Sequence, residues 1–303
     1  MKHMKTALFI ALAITTVSFI VYWVAAIRKH AGAESAGWMP GPVDMLIGFV
    51  TNFFDTLGIG SFAPTTAIFK LRNLVRDEQI PGTLNVGHTM ATVAEAFIFI
   101  AIVTVDATTL FSMIAASSLG AWLGAGVVAR WPRKAVQIGM GLALVVAAGL
   151  MLHSQLSPDP VGGTDVGVTG VRLGIAVAAS FVLGALMTLG IGLFAPCMIL
   201  VTLLGMNPKV AFPIMMGSCA FLMPVGSIRF IRERSYNLKS ALGLAFGGIP
   251  GVLIAAYIVK ELSLRTVKWL VIVVVIYTAI MMLRSAMVER ARRPVVVMPS
   301  IGN

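Results

Sequence analysis

The sequence predicts an all-α polytopic membrane protein. The expected form is an inverted-topology repeat of two homologous halves, each a re-entrant helical hairpin plus three transmembrane helices, with one extra N-terminal helix. Three observations predict it. The 303 residues are 58% hydrophobic and 12% charged, with a mean hydropathy of +0.94, far too apolar for a soluble domain. Residues 56–64 read Thr-Leu-Gly-Ile-Gly-Ser-Phe-Ala-Pro and residues 188–196 read Thr-Leu-Gly-Ile-Gly-Leu-Phe-Ala-Pro, a helix-breaking element that occurs twice. From that signature the chain aligns with itself without a gap at an offset of 132 residues through Pro81 and Pro213; an offset of 131 then puts Gly120 on Gly251 and Met151-Leu152 on Met282-Leu283.

The elements follow in order. Residues 1–40 hold one transmembrane helix and a loop. The apolar run 6–27 lies between Lys2 and Lys5 on one side and Arg28 and Lys29 on the other, longer than the core of a signal peptide, so it reads as a retained span; the Ala-rich stretch 31–36 leaves cleavage open. The first repeat covers 41–152, the second 170–284, and the Pro-, Gly- and Asp-containing segment 153–169 reads as an exposed linker. A basic cytoplasmic tail, 285–303, closes the chain.

Each repeat opens with two short apolar segments around the signature, about 43–54 and 62–73, then about 174–187 and 194–206. A helix of about 12 residues reaches only about 18 Å, against a hydrocarbon core about 30 Å thick, so each pair reads as a hairpin that enters and leaves on one side. Three longer segments per repeat can each cross: 82–104, 107–129 and 133–152, then 209–231, 239–259 and 264–284. Three crossings put the halves in opposite orientation. Treating each short pair as one or two full crossings would change the count to eight or more and could undo that inversion.

Charge agrees with this count. The formal net charge is +11, and with the N-terminus outside and the C-terminus cytoplasmic, sixteen of the 23 basic residues fall at cytoplasmic ends, among them Arg28, Lys70, Arg76, Arg133, Arg232 and Lys239. The basic residues sit at the ends of apolar runs, with no basic stripe interleaved with aromatics, so nucleic acid is not the partner implied; the lipid bilayer is. Trp38, Trp131 and Trp269 suit interfacial anchoring. Asp44, Asp106, Asp159 and Asp165 fall at predicted ends and loops and read as solvated.

The signature carries the candidate site. Gly58, Gly60, Gly190 and Gly192 supply backbone freedom, and Pro64 and Pro196 suit the first turn of the helix that follows. Each tip, with Ile59, Ser61, Phe62 and Ala63 in the first copy and Phe194 in the second, would present free backbone N–H groups and the positive end of a half-helix dipole, an anion site without a buried cation. Paired broken helices at a repeat interface are also where secondary transporters hold substrate at the membrane midplane. The same residues also suit tight packing of kinked helices, a reading that the duplication with matched spacing disfavours. Thr65 and Cys197 follow the prolines at equivalent positions; Ser218 and Cys219 lie on the span expected beside the tip, and Cys197 fits a small buried hydrophobe as well as a pocket lining.

The span beginning at Pro81 carries Asn85, His88, Thr92 and Glu95 on one predicted helical face, where the second repeat has Gly217, Ala220, Pro224 and Ser227. Glu95 falls near mid-span, where an ionised group costs about 2.5–3.5 kcal/mol, so it must be paired, protonated or functional. His88 and Glu95 suit proton coupling; a structural network with Asn52 or Asp55 suits them equally. Asp55 is better placed to orient the loop than to meet an anion. No HExxH, nucleophile elbow, CxxC pair or ATP-binding motif is present, so neither an enzyme nor a cofactor is expected.

The duplicated Gly-Ile-Gly-x-Phe-Ala-Pro, preceded in the first half by Asn52-Phe-Phe-Asp55, resembles the sulfite exporter TauE/SafE family of permeases. The resemblance implies a secondary transporter of small anions in the cytoplasmic membrane, typically sulfite, thiosulfate or organosulfonates, and a homodimer. The second repeat departs from the first in having Gly184 and Met187 where Asn52 and Asp55 stand. An anion channel, and a carrier of another small solute with a coupling cation, are the alternatives. Small residues over 115–126 permit close helix packing within or between subunits.

Overall fold

A computed structural model describes residues 2–30, 39–128, 133–156, 163–187 and 193–291. The Gly-Ile-Gly of the second signature, including Gly190 and Gly192, lies outside the described residues, as do Trp38, Trp131, Asp159 and the tail from residue 292. Among the described residues the chain is helical: α1 (Lys2–His30), α2 (Pro42–Thr56), α3 (Phe62–Arg72), α4 (Ile80–Ile102), α5 (Ala107–Val128), α6 (Arg133–Leu156), α7 (Gly170–Met187), α8 (Phe194–Leu203), α9 (Ala211–Arg232), α10 (Leu238–Glu261) and α11 (Leu264–Ala291).

Five of these helices are long and apolar enough to cross a membrane: α1, α4, α7, α9 and α10. Large apolar side chains such as Ile14, Val21, Val182 and Tyr257 stand exposed on their outer faces, a surface suited to lipid and not to water. The predicted short segment 174–187 is longer than expected, because α7 begins at Gly170; at 18 residues it spans about 27 Å. α2, α3 and α8 are shorter, at 15, 11 and 10 residues.

The helices pack in reciprocal pairs. α2 lies on α10 and α7 on α5; α4 crosses α9, and α6 lies on α11. Glycines bring the first two pairs together. A Cβ at Gly251 of α10 would overlap the Phe49 carbonyl of α2, and a Cβ at Gly120 of α5 would overlap the Phe181 carbonyl of α7. Ser117 faces Gly184 across the same contact, so these members of the small-residue stripe of α5 are spent inside the subunit.

The loops gather at two ends. At one end Trp23 donates to the Tyr236 hydroxyl (3.2 Å), Asn237 N–H to Thr83 (2.9 Å) and Ser240 to Asp44 (2.8 Å). Arg76, Arg232, Arg234 and Lys239 lie on these loops and the adjoining turns. Asp44, expected to be solvated, is therefore buried: the Ser240 hydroxyl meets it where α10 begins. At the opposite end Asp106 N–H donates to the Val166 carbonyl (2.7 Å) and Asn207 N–H to the Asp165 carbonyl (2.8 Å). Asp106 there caps α5 through the Thr109 N–H (2.8 Å). The linker is exposed over 164–166, but Val168 is buried, held by reciprocal hydrogen bonds to Thr109.

Candidate functional site

The first signature forms a tight turn between α2 and α3. Gly58 and Gly60 have φ of +99° and +88°, a region closed to most side chains, which is why glycine occupies both places. Gly58 N–H closes the turn on the Asp55 carbonyl (2.7 Å) and Ile59 N–H on the Phe54 carbonyl (3.0 Å). Ser61 precedes the first turn of α3, where Phe62, Ala63 and Pro64 follow; helix geometry leaves the first amides without an intrahelical carbonyl, and Pro64 has none to satisfy. A Cβ on Gly58 would meet Met198 Cε at 2.9 Å and Phe194 at 3.5 Å, so the first tip touches the start of α8, which holds Phe194, Pro196 and Cys197.

Beneath the tip lies a buried polar network. The Ser61 hydroxyl donates to Asp55 Oδ2 (2.6 Å), and the Ser61 backbone amide bonds to the same carboxylate. Asp55 thus sits at the N-terminal end of α3, where a negative group is favoured, and ties the turn to α2. His88, fully buried on α4, reaches Asn52 Oδ1 through Nδ1 (3.0 Å) and Thr65 Oγ1 through Nε2 (3.1 Å), and its ring stacks on Phe62 at 5.7 Å. Glu95 Oε1 meets the Thr56 hydroxyl at 2.7 Å, while Glu95 Oε2, also buried, has no hydrogen-bond partner among the described residues.

The structure thus brings Asn52, Asp55, Ser61, Phe62, Thr65, His88 and Glu95 together. It does not join the whole predicted face of α4. Asn85 bonds back to the Pro81 carbonyl (3.1 Å) and faces Gly226 of α9; Thr92 is buried, with no side-chain hydrogen bond in this network. Ser218 turns its hydroxyl to the Ile214 carbonyl of its own helix (2.7 Å). Cys197 is buried, and Cys219 lies 3.9 Å from the Met187 sulfur. Thr56 was missed, although it is the first residue of the signature and recurs as Thr188. A cavity of 240 Å³ lined by Phe99, Asn207, Lys209, Phe212 and Lys260 lies at the end away from the basic loops and includes no signature residue.

Apolar spanning helices with a polar cluster buried among them define a polytopic membrane protein. Residues 172–302, from α7 to the tail, match the family model described as sulfite exporter TauE/SafE, the family that the duplicated signature resembles. The matched stretch covers the second half of the chain, and the model it matches describes a family of sulfite exporters. No curated protein and no solved structure matches the chain.

Proposed function

We propose that the chain is a secondary transporter of small sulfur-containing anions such as sulfite, thiosulfate or organosulfonates, held between the N-termini of α3 and α8 and coupled to protons through His88 and Glu95. The observation that supports this reading is the contact of the first signature turn, at Gly58, with the Phe194 and Met198 side chains of α8, which brings the first tip against the second broken helix. Helix N-termini recognise sulfur oxyanions by N–H donation and dipole, and a low-polarity surrounding strengthens both. Asp55 already occupies part of the α3 terminus, so the anion is read by the remaining first-turn amides.

The inverted repeat is part of this proposal. The first hairpin starts beside Asp44–Ser240 and leads out into the loop at the same end, whereas the second starts after the linker and returns to Met206, which pairs with Asp165 at the opposite end. The basic loops are then cytoplasmic, the N-terminus outside, the membrane the cytoplasmic one and the assembly a homodimer. A coupling cation is the second reading, favoured by the unpartnered Glu95 oxygen.

The deciding experiment is uptake of labelled sulfite, thiosulfate and a small sulfonate into proteoliposomes, with and without a pH gradient and sodium, against a carboxylate control. Saturable, counterflow-competent, gradient-sensitive flux of a sulfur anion is expected. Sodium dependence without a proton effect supports the cation reading. Conductance far above carrier turnover means a channel. No flux from folded protein removes the sulfur-anion assignment.

A further inference from the structure

His88 presents its two ring nitrogens to partners of different character. Asn52 Nδ2 donates to the Gly48 carbonyl at 2.7 Å, which fixes the amide: turned over, it would set Oδ1 against that carbonyl, acceptor against acceptor. Asn52 Oδ1 therefore faces His88 Nδ1 and can only accept, so Nδ1 must carry a hydrogen. A neutral imidazole has one N–H, and it is used here. Nε2 is left with its lone pair toward Thr65. The Thr65 hydroxyl has one hydrogen and two acceptors within reach, Nε2 at 3.1 Å and the Ser61 carbonyl at 2.7 Å. That carbonyl also accepts the Thr65 backbone N–H (3.1 Å), so it stays satisfied if the hydroxyl turns away.

We propose that His88 is held as its Nδ1–H tautomer by Asn52, and that Nε2 is the atom at which the first tip registers a proton, read out by the Thr65 hydroxyl. With Nε2 bare, Thr65 donates to it. A proton taken up from solvent turns Nε2 into a donor, and the Thr65 hydrogen moves to the Ser61 carbonyl; the ring gains one proton and Thr65 keeps its own. The change arrives at Ser61, whose hydroxyl holds Asp55 (2.6 Å). Asn52 and Thr65 are thus positioning residues for a proton switch in the tip. The second half has Gly184, Cys197 and Ala220 at the equivalent places, so the device exists once.

The titratable groups of this region are Asp55 from α2, Glu95 two turns along α4, Cys197 from α8 and Cys219 from α9; the other charged residues of α2, α3, α9 and α10, Asp44, Lys70, Arg72, Arg229, Arg232, Lys239, Lys260 and Glu261, lie toward the ends of their helices. Among the described residues no charged side chain hydrogen-bonds the ring, whose partners are Asn52 and Thr65. The role in coupling rests on the transporter reading, but the tautomer does not.

The test is ¹⁵N NMR of the full-length protein in lipid nanodiscs with labelled histidine, the His88 signals being assigned among the four histidines by their loss in His88→Gln. The expected neutral ring carries its proton on Nδ1. Thr65→Val should shift the Nε2 signal toward that of an unbonded imine nitrogen, Thr65→Ser should leave it, and Asn52→Ala should move the proton to Nε2. An Nε2–H ring in the parent protein overturns the proposal, as does an Nε2 signal indifferent to Thr65→Val. Both readings need no substrate, so a failure of transport and a failure of the tautomer are separate results.

Discussion

Thr56 shows how a single hydrogen is shared in this interior. Its hydroxyl lies 2.8 Å from the Asn52 carbonyl and 2.7 Å from Glu95 Oε1, so it can satisfy one only, and the carbonyl has a helical N–H in reserve. Thr56→Val should leave both Glu95 oxygens without a donor and cost about 1–3 kcal/mol, read as a lowered unfolding temperature in detergent, while Thr56→Ser should be nearly neutral. Glu95→Gln keeps a polar group of the same size but no titratable proton, so the pH dependence of uptake should vanish while anion binding persists; an unchanged pH profile would remove Glu95 from coupling. Gly60 is governed by backbone and not by space, since nothing lies within 4 Å of where its Cβ would be. Gly60→Ala should cost about 1–3 kcal/mol from the positive φ alone, and Gly60→Leu should also place a bulky group in the open space at the tip and abolish flux from folded protein. Glycine and proline spacing made the turn legible in the sequence. Thr56 was not legible as a partner of Glu95, because the spacing along α4 gives the face of each residue but not which neighbour its turn meets; Asn85 and Thr92 were misjudged as part of one cluster for the same reason.

At the scale of elements, two contacts are equivalent residue for residue. Gly251 stands against Phe49 and Gly120 against Phe181, and the self-alignment of the chain maps Gly120 to Gly251 and Phe49 to Phe181. A second pair is equivalent in position but differs in kind: Gly184 lies directly against the Ser117 backbone, whereas Gly248 faces the Asn52 side chain. Backbone against backbone cannot yield as a flexible side chain can. Gly120→Leu and Gly251→Leu should therefore each destabilise the protein by about 1–3 kcal/mol or more, and by comparable amounts, whereas Gly174→Leu, with nothing within 4 Å of its Cβ, should be tolerated. Unfolding temperatures of the three variants in one detergent measure this. The glycines of these contacts were legible in the self-alignment because helix contacts of this closeness leave glycine at fixed positions. The extra turn at the start of α7 was not, because Gly170, at φ +58°, reads as a breaker although the helix starts on it.

At the scale of the molecule, burial and charge give the same division. The loops that carry Arg76, Arg232, Arg234 and Lys239 pack on one another at one end, and those at the other end include Asp106 and Asp165. A membrane with the positive-inside bias would set the first end in the cytoplasm. Both native cysteines are buried, so single added cysteines report sidedness without their removal. Arg76→Cys and Glu233→Cys lie at exposed positions of the basic end, and Thr164→Cys and Ser263→Cys at exposed positions of the other. With an impermeant maleimide, the first two should label only in inside-out vesicles and the last two only in intact right-side-out membranes. Arg76 and Thr164 are separated by α4, α5 and α6, and the proposed inverted repeat requires an odd number of crossings between them to turn the second hairpin over. Labelling of both from one side would mean an even number, and two half-helix starts could then no longer approach one site from opposite faces, which is the arrangement on which alternating access to a buried anion depends.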